Sequence, residues 1–177
     1  QDVSIHSDGA FTGEISAKML RDENINFCLV GHSERRKHFY ESNETVKIKI
    51  KNLIDNQIIP VICVGESLEE KEKNLTKYIL NKQLEEGVAE LANHQNAIIA
   101  YEPIWAIGSG LTPTLNEIND VHFFIKNVNK KFNKFKILYG GSVNASNSNN
   151  INCLENVDGC LIGGASLKVD EFNKIIS

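Results

Sequence analysis

The stretch "IIAYEPIWAIGSG", residues 98–110, decides how this chain is read. It opens as a buried strand, Ile98-Ile99-Ala100-Tyr101, and runs directly into the carboxylate of Glu102. A stiff Pro103-Ile104-Trp105-Ala106-Ile107 segment comes next and ends in Gly108-Ser109-Gly110, which has the backbone freedom of a hinge. A tryptophan and two isoleucines are out of place on a permanently solvated loop tip. They describe a segment that closes over something and is rooted on an acid.

Working outward, similar apolar runs recur on both sides. Phe27 to Gly31, Ile59 to Val64, Ile137 to Tyr139 and Cys160 to Ile162 are short and apolar throughout, the pattern of parallel strands in a sheet covered on both faces. Helical periods lie between them: Val46, Ile50, Leu53 and Ile54; Leu80, Leu84, Val88 and Leu91; Ile118, Val121, Ile125, Val128 and Phe132. Shorter helices are predicted over 14–21 and 167–176, and the Asn- and Ser-rich stretch 144–152 reads as a polar helix with its loop. Alternating strands and helices specify an α/β fold of right-handed βαβ units. With no Pro/Gly/Ser-rich linker in its 177 residues, the chain reads as a single domain over 1–177.

Composition excludes several classes of function. Charged residues make up 24% and the formal net charge is -4, which leaves no electrostatic footprint for nucleic acid or an anionic membrane. No apolar run approaches the roughly 20 residues of a spanning helix. Cys28, Cys63, Cys153 and Cys160 contain no CxxC pair, and three of them lie in apolar runs. They read as free thiols of a protein in a reducing cytosol, neither metal ligands nor disulfides.

The chemistry-bearing residues fall just after strand ends, the edge at which α/β active sites form. His32 comes after the first strand, at the start of a helix whose dipole opposes protonation. A neutral imidazole there can donate a hydrogen bond to a substrate oxygen, although a histidine so placed, taken alone, is more often structural or solvated. His6, His38, His94 and His122 lack this placement and read as surface or packing residues. Glu102 is a carboxylate whose partial burial would raise its pKa towards neutrality, as a general base requires; its bland alternative is a solvated acid before a proline. Gly140-Gly141-Ser142-Val143 and Gly163-Gly164-Ala165-Ser166 end the last two strands. Two successive glycine turns there let backbone N–H groups approach an anion at a helix start, the phosphate cradle of (β/α)8 barrels. Together these groups describe proton abstraction beside a carbonyl in a small phosphorylated substrate, with His32 stabilising the enediolate oxygen.

In this order, "GAFTGEIS" (9–16), "GHSERR" (31–36), "AYEPIWAIGSG" (100–110), "YGGSV" (139–143) and "IGGASL" (162–167) resemble the successive signature segments of the triosephosphate isomerase family. The resemblance implies a (β/α)8 barrel that interconverts dihydroxyacetone phosphate and D-glyceraldehyde 3-phosphate in cytosolic glycolysis and gluconeogenesis, with no cofactor or metal. It implies Glu102 as the proton-shuttling base and His32 as the neutral electrophile. Gly108, Ser142, Gly163 and Gly164 match the positions that hold the phosphate, and Glu34 matches a neighbour of the lysine that faces the substrate. Pro103, Ile104, Trp105, Ala106, Ile107, Gly108, Ser109 and Gly110 match a lid that excludes water. Its far end departs from the family: Leu111-Thr112-Pro113 stands where Lys-Thr-Ala is usual, and proline narrows the hinge's φ angles.

The Asn-Trp-Lys-Met-Asn segment ending the family's first strand has no counterpart, because the only tryptophan is Trp105 and the only methionine Met19. By resemblance the chain begins near the family's third strand, keeping about five strands and a stub of the barrel's eight. On that expectation the barrel cannot close, and its edges stay open. The loop Ile5 to Thr12 finds no partner loop, so the family's homodimer is compromised. The chain alone is then nearly inactive, since losing one preorganised group costs roughly 10²–10³ in rate. Two other readings stay open: another phosphate-binding barrel enzyme, of sugar-phosphate or indole chemistry, and a non-catalytic remnant that binds phosphate or pairs through its edges.

Overall fold

The computed structural model of the chain describes residues 1–88, 96–109 and 111–177. Expectations placed on Leu91, His94 and Gly110 lie outside the described residues.

Five strands, β1 (Phe27–Val30), β2 (Ile59–Val64), β3 (Ile98–Tyr101), β4 (Lys136–Tyr139) and β5 (Gly159–Cys160), pair in parallel in chain order. Among the described residues the sheet is open, with β1 and β5 at its edges. This is the α/β alternation of a barrel that does not close. Register sets the site. Val64 lies opposite Tyr101, and Tyr101 opposite Tyr139, so the next residues along, Gly65, Glu102 and Gly140, stand side by side on one rim.

Both faces of the sheet are apolar, which is why the strands read as continuous runs rather than alternating ones. Only one face is covered by helices. There Val30, Ile62, Val64, Ile99, Ile137 and Tyr139 pack against Val46, Ile50 and Leu53 of α3 (Asn43–Asp55), Leu80 and Leu84 of α5 (Thr76–Val88), and Ile118 and Ile125 of α6 (Leu115–Val128). The other face carries a small cluster of strand and rim side chains alone: Val61, Cys63 and Ala100 with Leu29, Ile98, Leu138 and Leu161 around them. Among the described residues the expected cover on both faces is therefore corrected to helices on one side and a small side-chain cluster on the other.

Element ends obey their caps. The helix predicted from residue 14 starts later, as α1 (Ala17–Asp22), because the Ser16 hydroxyl accepts the Met19 N–H as an N-cap. The Asn- and Ser-rich stretch contains the short α7 (Ser148–Asn152). The final predicted helix, 167–176, starts two residues later: Leu167 closes a 3-10 turn (Gly164–Leu167), Lys168 is extended at φ -115° and ψ 108°, and α8 runs beyond it (Val169–Ile176). Phe132 falls outside α6, yet is buried beside Phe135 with ring centroids 6.2 Å apart. No helix among the described residues is long and apolar enough to cross a membrane.

His122 on α6 is a packing residue, fully buried with its ring 5.9 Å from Tyr101 and 6.4 Å from Tyr139. Burial is the main cause that pushes its pKa from 6.5 to about 4. The fold thus holds the ring neutral where the unfolded chain takes up a proton. Its contribution is fully present above pH 6.5 and is lost as pH falls through 6.5 to about 4. That window is worth about 3 kcal/mol. Urea unfolding at pH 7.5 and 4.5 should show a larger loss on acidification in the parent than in His122→Phe; equal losses would remove His122 from the account.

Candidate active site

Glu102 is delivered to the rim by β3 and is 2% exposed. Its neighbours on both sides are glycines for a steric reason. A Cβ on Gly65 would lie 1.7 Å from the Glu102 carbonyl oxygen, and one on Gly140 would lie 2.9 Å from Glu102 Cγ. The backbone is fixed in place by Glu102 N–H donating to Val64 O at 2.8 Å and Gly140 N–H donating to Tyr101 O at 2.7 Å. Burial raises the Glu102 pKa above the ordinary glutamate value, with His32, the Cys63 thiol and the Ser33 N–H opposing it in part. A carboxylate held this way is closer to taking up a proton than one in water.

His32 reaches the same place from β1. Gly31, at φ 73°, turns the chain off the strand. Its N–H donates to buried Glu41 at 2.9 Å, and its carbonyl accepts from Arg36 Nε at 2.8 Å. Glu41 is in turn paired with buried Lys49, which also donates to Asp2 at 2.8 Å. His32 then caps α2 (Ser33–His38), its Nδ1 accepting the Glu34 N–H at 3.3 Å. With Nδ1 an acceptor, the ring proton lies on Nε2, which is 3.3 Å from Glu102 Oε1. The other Glu102 oxygen accepts the Ser33 N–H at 3.3 Å.

These two groups line one cavity of about 600 Å³, and the other residues singled out in the sequence line it with them: Glu34, Gly108, Ser142, Gly163 and Gly164. The two glycine turns differ in use. Gly140 makes room for Glu102, and a Cβ on Gly141 would strike the Tyr139 ring at 2.6 Å. That pair serves internal packing and also lines the cavity. Gly163 and Gly164 would have nothing within 4 Å of an added Cβ and open onto the cavity. They lead into the short 3-10 turn, which replaces the expected α-helix start.

Comparison with known proteins completes the picture. The model of a family described as triosephosphate isomerase matches residues 1–177. The chain belongs to the triosephosphate isomerase family. It is 48% identical over 184 residues to a triosephosphate isomerase of Francisella tularensis subsp. mediasiatica, covering 100% of this chain and 73% of that one. A triosephosphate isomerase of Endomicrobium trichonymphae is 44% identical over 175 residues, covering 95% of this chain and 70% of the relative.

In this triosephosphate isomerase-family chain, the segment after Glu102 is anchored rather than loose. Ile104–Ala106 forms a 3-10 turn whose Ile104 N–H donates to Glu66 O at 3.0 Å. Trp105 Nε1 donates to Glu66 Oε1 at 2.9 Å, and the Ser142 hydroxyl donates to the Ala106 carbonyl. Pro103 is buried, while Ile107 and Gly108 reach the cavity. Ser109 donates to Trp105 O at 2.8 Å and accepts the Leu111 N–H at 3.2 Å.

Two residues of this region were missed in the sequence. Glu66 is 1% exposed, and its Oε1 also accepts the Tyr101 hydroxyl at 3.2 Å; it comes after Gly65 at the end of β2, so the strand-end rule that selected Glu102 and His32 selects it equally. Cys63 reads as a small hydrophobe, yet its thiol is near enough to the Glu102 carboxylate to oppose the rise in that group's pKa, an influence that no local pattern announces.

Proposed function

We propose that this site is built to interconvert dihydroxyacetone phosphate and D-glyceraldehyde 3-phosphate, without a cofactor, in cytosolic glycolysis and gluconeogenesis, and that the chain by itself does so only weakly. The observation that carries the reading is the 3.3 Å approach of His32 Nε2 to Glu102 Oε1 inside a cavity shared with Gly163 and Gly164. The names of the relatives support it.

Glu102 removes the proton from the carbon next to the carbonyl, and its raised pKa brings it closer to the strength that this transfer needs. His32 donates its Nε2 proton as a hydrogen bond to the carbonyl oxygen, where negative charge develops. Glu102 then returns the proton to the adjacent carbon through the enediolate. Gly108, Ser142, Gly163 and Gly164 hold the phosphate. The segment 103–110 acts as the lid, with Ile107 and Gly108 at the cavity wall excluding water from the intermediate. The test is incorporation of solvent deuterium into dihydroxyacetone phosphate, monitored by NMR. Uptake at carbon supports the reading; a chain that incorporates none overturns it.

A further inference from the structure

The two anchor points of the segment 103–110 are held by one side chain that lies outside the cavity. Lys71, on α4 (Leu68–Glu72), places its ammonium 3.5 Å from the centroid of the Trp105 ring. The same nitrogen is 3.0 Å from Glu117 Oε1. Glu117 is the acidic half of the capping box that starts α6: its Oε2 accepts the Thr114 N–H at 2.7 Å and the Thr114 hydroxyl at 2.9 Å. Trp105 sits near the root of the segment and Thr114 just beyond its far end. One cation therefore bridges both ends. The indole is gripped twice, on its edge by the buried carboxylate of Glu66 and on its face by Lys71.

We propose that Lys71 is a positioning residue for the reaction, acting through Trp105 and Glu117 to pin the lid in the arrangement seen here. Lid displacement then requires loss of a cation–ring contact and strain on the cap of α6. A cation over an indole that is only partly desolvated shifts such an equilibrium about two- to fivefold. The consequence for turnover rests on the isomerase reading, whereas the pinning itself does not.

Trp105 is the only tryptophan, so its fluorescence reports the lid alone. Lys71→Met keeps the aliphatic stem and removes the charge, and α4 has no buried residue to disturb. In the ligand-free chain, Lys71→Met should raise acrylamide quenching of Trp105 about twofold or more and enlarge the fast phase of its anisotropy decay. Lys71→Arg should restore parent values. With glycerol 3-phosphate as probe, Lys71→Met should bind about two- to fivefold more weakly, because the arrangement that seats Ile107 and Gly108 at the cavity wall loses its pin. Quenching and anisotropy unchanged in Lys71→Met overturn the proposal, as does a change that Lys71→Arg fails to reverse. A parent chain that does not bind glycerol 3-phosphate counts against the isomerase reading, and the ligand-free comparison then decides on Lys71.

Discussion

Glutamine in place of Glu102 is expected to slow solvent-proton exchange into dihydroxyacetone phosphate by about 10²–10⁴. The substitution preserves shape where shape is constrained. The side chain still fits between Gly65 and Gly140. The amide oxygen can still accept the His32 Nε2 proton, while the amide NH2 takes the place of the oxygen that accepted the Ser33 N–H. The group able to take a proton from carbon is lost, together with one of its two acceptor oxygens. Burial already disfavours the ionised acid at this position, so relief of that penalty offsets the lost Ser33 acceptor and the unfolding midpoint should stay near the parent's. Deuterium uptake and urea unfolding of the same preparation separate the two effects. Exchange within tenfold of the parent would remove Glu102 as the base.

Gly65→Ala is expected to cost about 3 kcal/mol or more of stability, a large share of what a domain of this size has. The added Cβ would lie 1.7 Å from the Glu102 carbonyl oxygen and 2.6 Å from its carbonyl carbon. Both are backbone atoms, so no rotamer change relieves the clash. The ends of β2 and β3 must separate, breaking the 2.8 Å bond from Glu102 N–H to Val64 O. That movement also carries the carboxylate away from His32, so exchange activity should fall with stability. Gly163→Ala is the control, since nothing lies within 4 Å of its Cβ and its unfolding midpoint should stay near the parent's. Matching midpoints for Gly65→Ala and Gly163→Ala would refute the packing argument.

The strands β2 and β3 are readable from their apolar runs to the residue, because burial on both faces leaves an unbroken signature. The late start of α8 is not readable in the same way. Lys168 interrupts a stretch that keeps helical periodicity, and the interruption is a matter of backbone geometry at a single residue. The roles of the glycines divide along the same line. Gly140-Gly141 and Gly163-Gly164 look alike as letters and line one cavity, but only the second pair has room for a side chain. The difference comes from Glu102 and Tyr139 occupying the room beside the first.

Chemistry after a strand end is a local property, and it marked out Glu102 and His32 from residue type and position alone. Family membership too is carried by short ordered segments, each intact without its neighbours. Which atoms meet is another matter, since it depends on chain segments dozens of residues apart in register. The influence of the Cys63 thiol on the carboxylate, and Lys71 bridging Trp105 to Glu117, exist only once β2, β3, α4 and α6 are packed together. Contacts of that kind are set by the mutual placement of elements, and no window of sequence contains both partners.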